Sequence, residues 1–147
     1  MKIGFVLARS FTLSAFALFV DTLRLASDET DRSGRVLADW HVLASSRNLI
    51  TSSCGVQVAP TSDFVDPGEF NYIVVVGGLL NSEFPVDSET VIYLKRAAAA
   101  KVPLIGALSA WSGPEVETAA GAAGFDFVFC KGDSVPDLMA RLERLTG

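Results

Sequence analysis

A three-layer α/β sandwich around a parallel sheet is the fold class that three observations predict. Lys2–Ala8 (KIGFVLA), Tyr72–Val76 (YIVVV) and Val102–Trp111 (VPLIGALSAW) carry apolar runs without polar alternation, as strands covered on both faces require. Helix-period segments with capping signals separate them. No repeat, low-complexity tract or linker divides the 147 residues, so one domain with right-handed crossovers is expected.

The elements follow in order. Lys2–Ala8 reads as a buried first strand, and Arg9–Thr12 as the turn after it. Thr12 or Ser14 then caps a helix to about Ala26, with Phe16, Phe19, Val20, Leu23 and Leu25 as its apolar stripe. Residues 28–34 (DETDRSG) form a charged loop, and a strand near Trp40–Ala44 carries His41. Leu49–Pro60 alternates apolar and small polar residues around Cys54-Gly55, the pattern of a β-ribbon. Pro67-Gly68 marks a turn. Tyr72–Val76 is the clearest strand, and the Gly77-Gly78 after it allows a sharp turn or a close backbone approach.

Pro85 with Asp87 or Ser88 opens an alanine-rich helix to about Lys101. Val102–Trp111 follows as the central strand. Ser112 caps the next helix, with Pro114 as its second residue and Glu115 near the positive end of its dipole. Phe125–Phe129 is a last strand and 134–145 a last helix, with Leu138, Leu142 and Leu145 inward.

Composition excludes several functions. Half the residues are hydrophobic and a fifth charged, an ordinary globular balance. A formal net charge of -5 with dispersed arginines gives no basic stripe, so nucleic-acid binding by this chain alone is not expected. No window approaches the ~18 apolar residues of a membrane span. The apolar region after Lys2 is interrupted by Arg9, Ser10, Thr12 and Ser14, unlike a signal peptide. Cys54 and Cys130 are too few for a disulfide framework and lack metal spacing, so a reducing, cytoplasmic setting without a metal or cofactor is expected.

The runs SFTLSAFALFVDTLRLASDE, WHVLAS, SSCGVQVAPTSDF, FNYIVVVGGLL and YLKRAAAAKVPLIG, from Lys2 to about Gly106, resemble the amidotransferase-like, PfpI-type domain that begins AraC-type transcriptional regulators. The resemblance implies a flavodoxin-like fold, a ligand-sensing regulatory role, dimerisation, and a helix-turn-helix domain further along. No stretch of these 147 residues reads as that DNA-binding domain. Where the superfamily places its nucleophile cysteine this chain has Leu108. From Ala107 onward the chain instead resembles the last two strand-helix units of a response-regulator receiver domain, with Ser109 and Lys131 at its hydroxyl and lysine positions. A hybrid of two flavodoxin-like parents, recombined or engineered and without evolved activity, is the expectation this break raises.

Each candidate site residue also has a structural role open to it. Receiver chemistry needs carboxylates for magnesium and an acceptor aspartate, yet those places hold Ala8-Arg9 and Gly77-Gly78. Amidotransferase-type chemistry needs an activated thiolate; Asp21 matches an acidic position of the first helix, but as a structural acid when no thiol faces it. Cys54 is expected to pack in the ribbon. Cys130 beside Lys131 has the better case for a lowered pKa. His41, the sole histidine, is expected to be structural. Hydroxyls at Ser10, Thr12 and Ser14 sit where flavodoxins cradle a flavin phosphate, yet helix capping explains them as well. Trp111 would stack on a planar ligand or fill a gap.

The leading expectation is a non-catalytic domain of regulator ancestry, a hybrid without evolved activity or else a small-molecule or anion-binding module, whose pocket would then be bounded by Arg9, Ser10, Asp21, Gly77, Gly78, Ser109 and Lys131. Cysteine-dependent hydrolase or glyoxalase-like chemistry is the alternative. It requires Cys54 or Cys130 beside an acid or His41 at the strand ends.

Overall fold

A computed structural model describes residues 1–27, 37–79, 84–108, 114–130, 134, 136–137, 140 and 143–144. Six strands form one sheet in the order β5-β2-β1-β6-β7-β8, with every neighbouring pair parallel. They are β1 (Lys2–Leu7), β2 (Asp39–Ala44), β5 (Ser62–Asp63), β6 (Tyr72–Val76), β7 (Leu104–Leu108) and β8 (Phe127–Cys130). The predicted fold class holds. The centre of the sheet is β1 and β6, however, and the VPLIG strand is fifth of six. An all-apolar run reports burial on both faces, which any interior strand has, and so does not rank interior strands.

Alternate side chains of the central strands feed two separate cores, because successive residues of a strand face opposite sides. Ile3, Phe5, Leu7, Val74, Val76 and Ile105 face helix α1 (Leu13–Ser27), whose Phe16, Phe19, Val20 and Leu23 pack on them. Phe5 receives Phe16 and Phe19 edge-on at centroid distances of 5.3 and 5.5 Å. Leu25, expected in this stripe, points outward and is 64% exposed. It lies about 200° around the helix from Leu23, and position 27 carries the pattern inward instead.

Val6, Leu43, Ile73 and Leu104 face the other way, toward Tyr93 and Ala97 of helix α2 (Ser88–Ala99). The Asp87 carboxylate caps α2 by accepting the Thr90 N–H at 2.7 Å. The helix ends with Lys101 at φ 57°, its N–H on the Ala98 carbonyl and the Val102 N–H on that of Ala97, the αL closure more often built with glycine.

The predicted ribbon is present as a separate two-stranded antiparallel sheet, β3 (Ile50–Thr51) with β4 (Gln57–Val58). Ile50 and Val58 pack against the core on the α1 side. Helix α3 spans Pro114–Ala122, with Pro114 as its first described residue, where a missing N–H costs no hydrogen bond. Ser112 and residues 28–34 lie outside the described residues. Ser134 Oγ accepts the Asp137 N–H at 3.2 Å, which caps a terminal helical segment, while Leu138, Leu142 and Leu145 lie outside the description.

Tyr93 is 2% exposed and stacks on Phe64 at 4.3 Å, yet its hydroxyl has no hydrogen-bond partner among the described residues. Burial, with Asp66 and Glu69 nearby, pushes the phenol up to about 12 despite Arg96. A buried donor without a partner carries its full desolvation cost. Tyr93→Phe should therefore raise the unfolding free energy by about 1 kcal/mol, read from urea midpoints at constant slope. A loss of similar size would show that the hydroxyl is bonded in solution.

Candidate functional site

The carboxyl ends of β1 and β6 form the point where the chain reverses its direction across the sheet, the usual place for a ligand crevice. Here the crevice is closed by main chain. The Ser10–Phe11 peptide runs across it between Gly78 and the ribbon, forming bridges to Gly78 on one side and Ser52 on the other. A Cβ on Gly78 would sit 1.8 Å from the Ser10 carbonyl oxygen, so only glycine admits this approach. Of the two roles open to Gly77-Gly78, close contact is the one adopted. Gly77 accepts the Thr12 N–H at 2.9 Å, and Thr12 occupies the capping position before α1.

The turn after β1 reaches three neighbours through its main chain. The Arg9 N–H bonds the Pro85 carbonyl at 2.8 Å, Ser10 N–H that of Thr51 at 3.1 Å, and Leu79 N–H the Ser10 carbonyl at 3.2 Å. Ser10 adopts φ 55°, the left-handed region that a non-glycine residue enters only when its surroundings hold it there.

With the β1/β6 crevice sealed, the opening lies one strand over. A cavity of about 470 Å³ stands at the ends of β1 and β2, between the loop after β2, the ribbon and the start of α2. Val6, Leu7 and Leu43 supply an apolar floor. Ser10, Ser45, Ser46, Asn48, Thr51 and Thr90 supply hydroxyl and amide groups around it. Arg9 and Asp87 are its two charged side chains.

Asp87 is committed to structure. One oxygen accepts the Ser45 hydroxyl at 2.6 Å and the other caps α2, so the carboxylate ties the β2 loop to the helix. Partial burial pushes this carboxyl up, but the hydrogen bonds from Ser45 and Thr90 and the charge of Arg9 together outweigh it, leaving it below its ordinary value. The exposed Arg9 guanidinium makes no hydrogen bond or ion pair among the described residues.

Of the predicted site residues, Arg9 and Ser10 line the cavity together. Gly77 and Gly78 do not; they close the neighbouring crevice. Asp21 stands on the solvent side of α1, its side chain 68% exposed and 3.9 Å from Arg24, far from the role of an acid at the strand ends. The first helix presents its apolar stripe to the sheet, so an acid on the opposite arc faces water. Ser109, Trp111 and Lys131 lie outside the described residues, as do the side chains of Leu108 and Cys130.

His41 Nε2 is 3.2 Å from Asp39 Oδ2, and the ring stands edge-on to Phe70. It pairs with Gly4 in mid-strand, away from the cavity, in the structural role expected of it.

Cys54 corrects an expectation. The thiol is exposed at the ribbon turn rather than packed. The Ser52 hydroxyl, 3.3 Å away, and the Val56 N–H hold it below its ordinary value. Gly55 at φ 87° turns the chain there and leaves no side chain over the sulfur. No histidine or carboxylate is bonded to it among the described residues, so the thiol's lowered pKa comes without a general base beside it. Asp87, Ser45, Asn48 and Thr51 carry no cavity signal in the sequence because they meet only when the loop after β2, the docked ribbon and the start of α2 come together.

Among the described residues no group of three His, Cys, Asp or Glu side chains is placed to hold a metal ion. Among them, too, no helix is long and apolar enough to cross a membrane.

No family model matches the chain. The chain is 32% identical over 97 residues to the HTH-type transcriptional regulator GbdR of Pseudomonas aeruginosa, a match covering 66% of this chain and 25% of that protein. It therefore spans about a quarter of the length of the curated relatives it matches. Its structural neighbours are AraC-type regulators and DJ-1/ThiJ/PfpI proteins. An AraC family transcriptional regulator from Pseudomonas putida superposes with a TM-score of 0.58 at 21% identity, over 72% of this chain and 63% of that one. A ThiJ/PfpI family protein from Pseudomonas syringae gives 0.59 at 14% identity, over 99% of this chain and 67% of that one. One ThiJ/PfpI-like fold thus follows the chain nearly end to end, and these neighbours give no support to a receiver-derived tail or an engineered origin.

Two measurements check the site. Asp87→Ala should cost about 1 kcal/mol at neutral pH through the lost cap. Because the folded carboxyl is held below its unfolded value, its contribution is present above the ordinary carboxylate range and fades as pH falls through the folded value. Wild-type and variant stabilities should therefore converge in acid, below about pH 4. For Cys54, a thiol-disulfide reagent at pH 7 should react faster than with a model cysteine peptide, and Ser52→Ala should slow it severalfold; equal rates would mean that the hydroxyl does not favour the thiolate.

Proposed function

We propose that this chain is a non-catalytic, ligand-sensing domain of an AraC-type regulator, which takes a small polar molecule into the cavity at the ends of β1 and β2. The observation that carries the reading is the placement of Arg9. Its guanidinium, which makes no hydrogen bond or ion pair among the described residues, lines a cavity with an apolar floor and a hydroxyl rim, a concave site with a few convergent polar groups. Sequence similarity to an HTH-type transcriptional regulator and structural likeness to an AraC family transcriptional regulator support the regulatory setting.

The chemistry present favours binding over turnover. Bond-making needs a nucleophile within reach of a base. The cavity offers serine and threonine hydroxyls with no histidine among its lining residues, and its one carboxylate already accepts two hydrogen bonds. Cys54 is not among the lining residues. In this reading DNA contact falls to a separate helix-turn-helix domain of the longer regulator, consistent with a net charge of -5 here. The setting is the cytoplasm, and pairing of two copies carries the signal.

A thermal-shift screen with phosphate, flavin, nucleotides and small acids and amines tests this. One chemical class should raise the midpoint by several degrees, since a ligand at 100 times its Kd contributes ~2.7 kcal/mol. Arg9→Ala should remove the shift while leaving the unliganded midpoint unchanged. Turnover of any panel member that depends on a cavity side chain would overturn the reading, as would a shift indifferent to Arg9→Ala.

A further inference from the structure

We propose that the Ala8–Phe11 turn is a latch that holds the β3–β4 ribbon on the domain and is poised to let it go. The ribbon is a sheet of its own, with no strand partner in the six-stranded sheet. Its main-chain attachments to the turn are the Ser10 N–H to Thr51 carbonyl bond at 3.1 Å and the Ser53 N–H to Phe11 carbonyl bond at 2.9 Å. Both involve the segment in which Ser10 is held at φ 55°. Ser10 is also held there by the turn's own bond from the Phe11 N–H to the Ala8 carbonyl at 3.1 Å, so relaxation to negative φ would break that bond together with the ribbon's, and the backbone strain opposes these hydrogen bonds across one residue.

The opposite side of the turn is fixed. Gly78 abuts the Ser10 carbonyl, and Leu79 N–H donates to that oxygen. The two arrangements proposed are Ser10 latched between Gly78 and Thr51, and Ser10 relaxed with both the Thr51 bond and the turn's own Phe11–Ala8 bond opened. A discrete pair of this kind is what a switching element requires. Ser10 and its neighbour Arg9 also line the cavity, so whatever stands there bears directly on the latch. Release would uncover Phe11, which is 0% exposed, together with the inner faces of Ile50 and Val58.

The device goes beyond the ligand reading, and its test uses the chain alone, so its failure leaves that reading standing. Amide hydrogen exchange separates the bonds involved. Ser53 and Ser10 report docking, the Ser52 N–H bond to the Val56 carbonyl at 2.8 Å reports the ribbon's own integrity, and Val74 in the buried sheet reports global opening. Ser10→Gly removes the left-handed penalty and should slow Ser53 exchange about threefold or more. Gly78→Ala forces the Ser10 peptide away and should speed Ser53 exchange at least about tenfold, with Val74 unchanged.

Opposite responses at Ser53, with Val74 constant, establish the latch. If Ser53 exchange instead follows Val74 in both variants, or if Ser10→Gly accelerates it, the ribbon opens only with the whole domain and the latch is wrong. Should Gly78→Ala fail to fold, the Ser10→Gly result decides alone.

Discussion

The missing Cβ of Gly78 is the constraint on which the site depends. It admits the Ser10–Phe11 main chain to van der Waals contact, where a methyl group would overlap the Ser10 carbonyl. That contact places a peptide across the β1/β6 crevice, sets Ser10 in the left-handed region, and leaves the outward N–H of Ser10 aimed at Thr51. The ribbon docks on that N–H, and the docked ribbon forms one wall of the cavity. A glycine on the fourth strand of the sheet thus moves the opening from one side of β1 to the other.

Electrostatics then divide the cavity between two roles. Asp87 is the anchor: with both oxygens accepting and Arg9 nearby, its charge is stabilised and its position fixed. Arg9 is the opposite case, a permanently charged planar donor fork with nothing to satisfy it among the described residues. A fixed anion and an unpaired cation over a hydroxyl rim suit recognition, because orientation comes from the rim and attraction from the uncommitted charge. Covalent chemistry would need these roles reversed, with the carboxylate left available to a nucleophile.

Much of the architecture was legible because it rests on local signals. Unbroken apolar runs gave β1, β6 and β7, a capping aspartate gave the start of α2, and alternation around Cys54-Gly55 gave the ribbon. The site was legible only at Arg9 and Ser10, since the strand-end rule points there whatever the neighbours do. Gly77-Gly78 was readable as a backbone feature but not as a seal, because the peptide that fills the gap, Ser10–Phe11, comes from the far side of β2, the ribbon and β6 in sequence. Asp21 failed for a simpler reason: family position names a residue, whereas the helix phase set by Phe16, Phe19, Val20 and Leu23 decides which way it faces. Leu25 failed by the same phase, two residues beyond the last inward leucine.

Cys54 shows how the ribbon separates reactivity from recognition. The turn that exposes the sulfur also brings Ser52 and the Val56 N–H to it, so the hydrogen bonds that close a tight hairpin lower a thiol's proton affinity as a by-product. No general base accompanies them, and the cavity lies beyond the other edge of the same ribbon. Ser52 is 4% exposed while the cysteine two residues on is exposed, so the hydroxyl is fixed by burial and the sulfur is not. A thiol of lowered pKa, next in sequence to one of the two main-chain bonds that dock the ribbon, would therefore register the ribbon's position chemically without taking part in what the cavity binds.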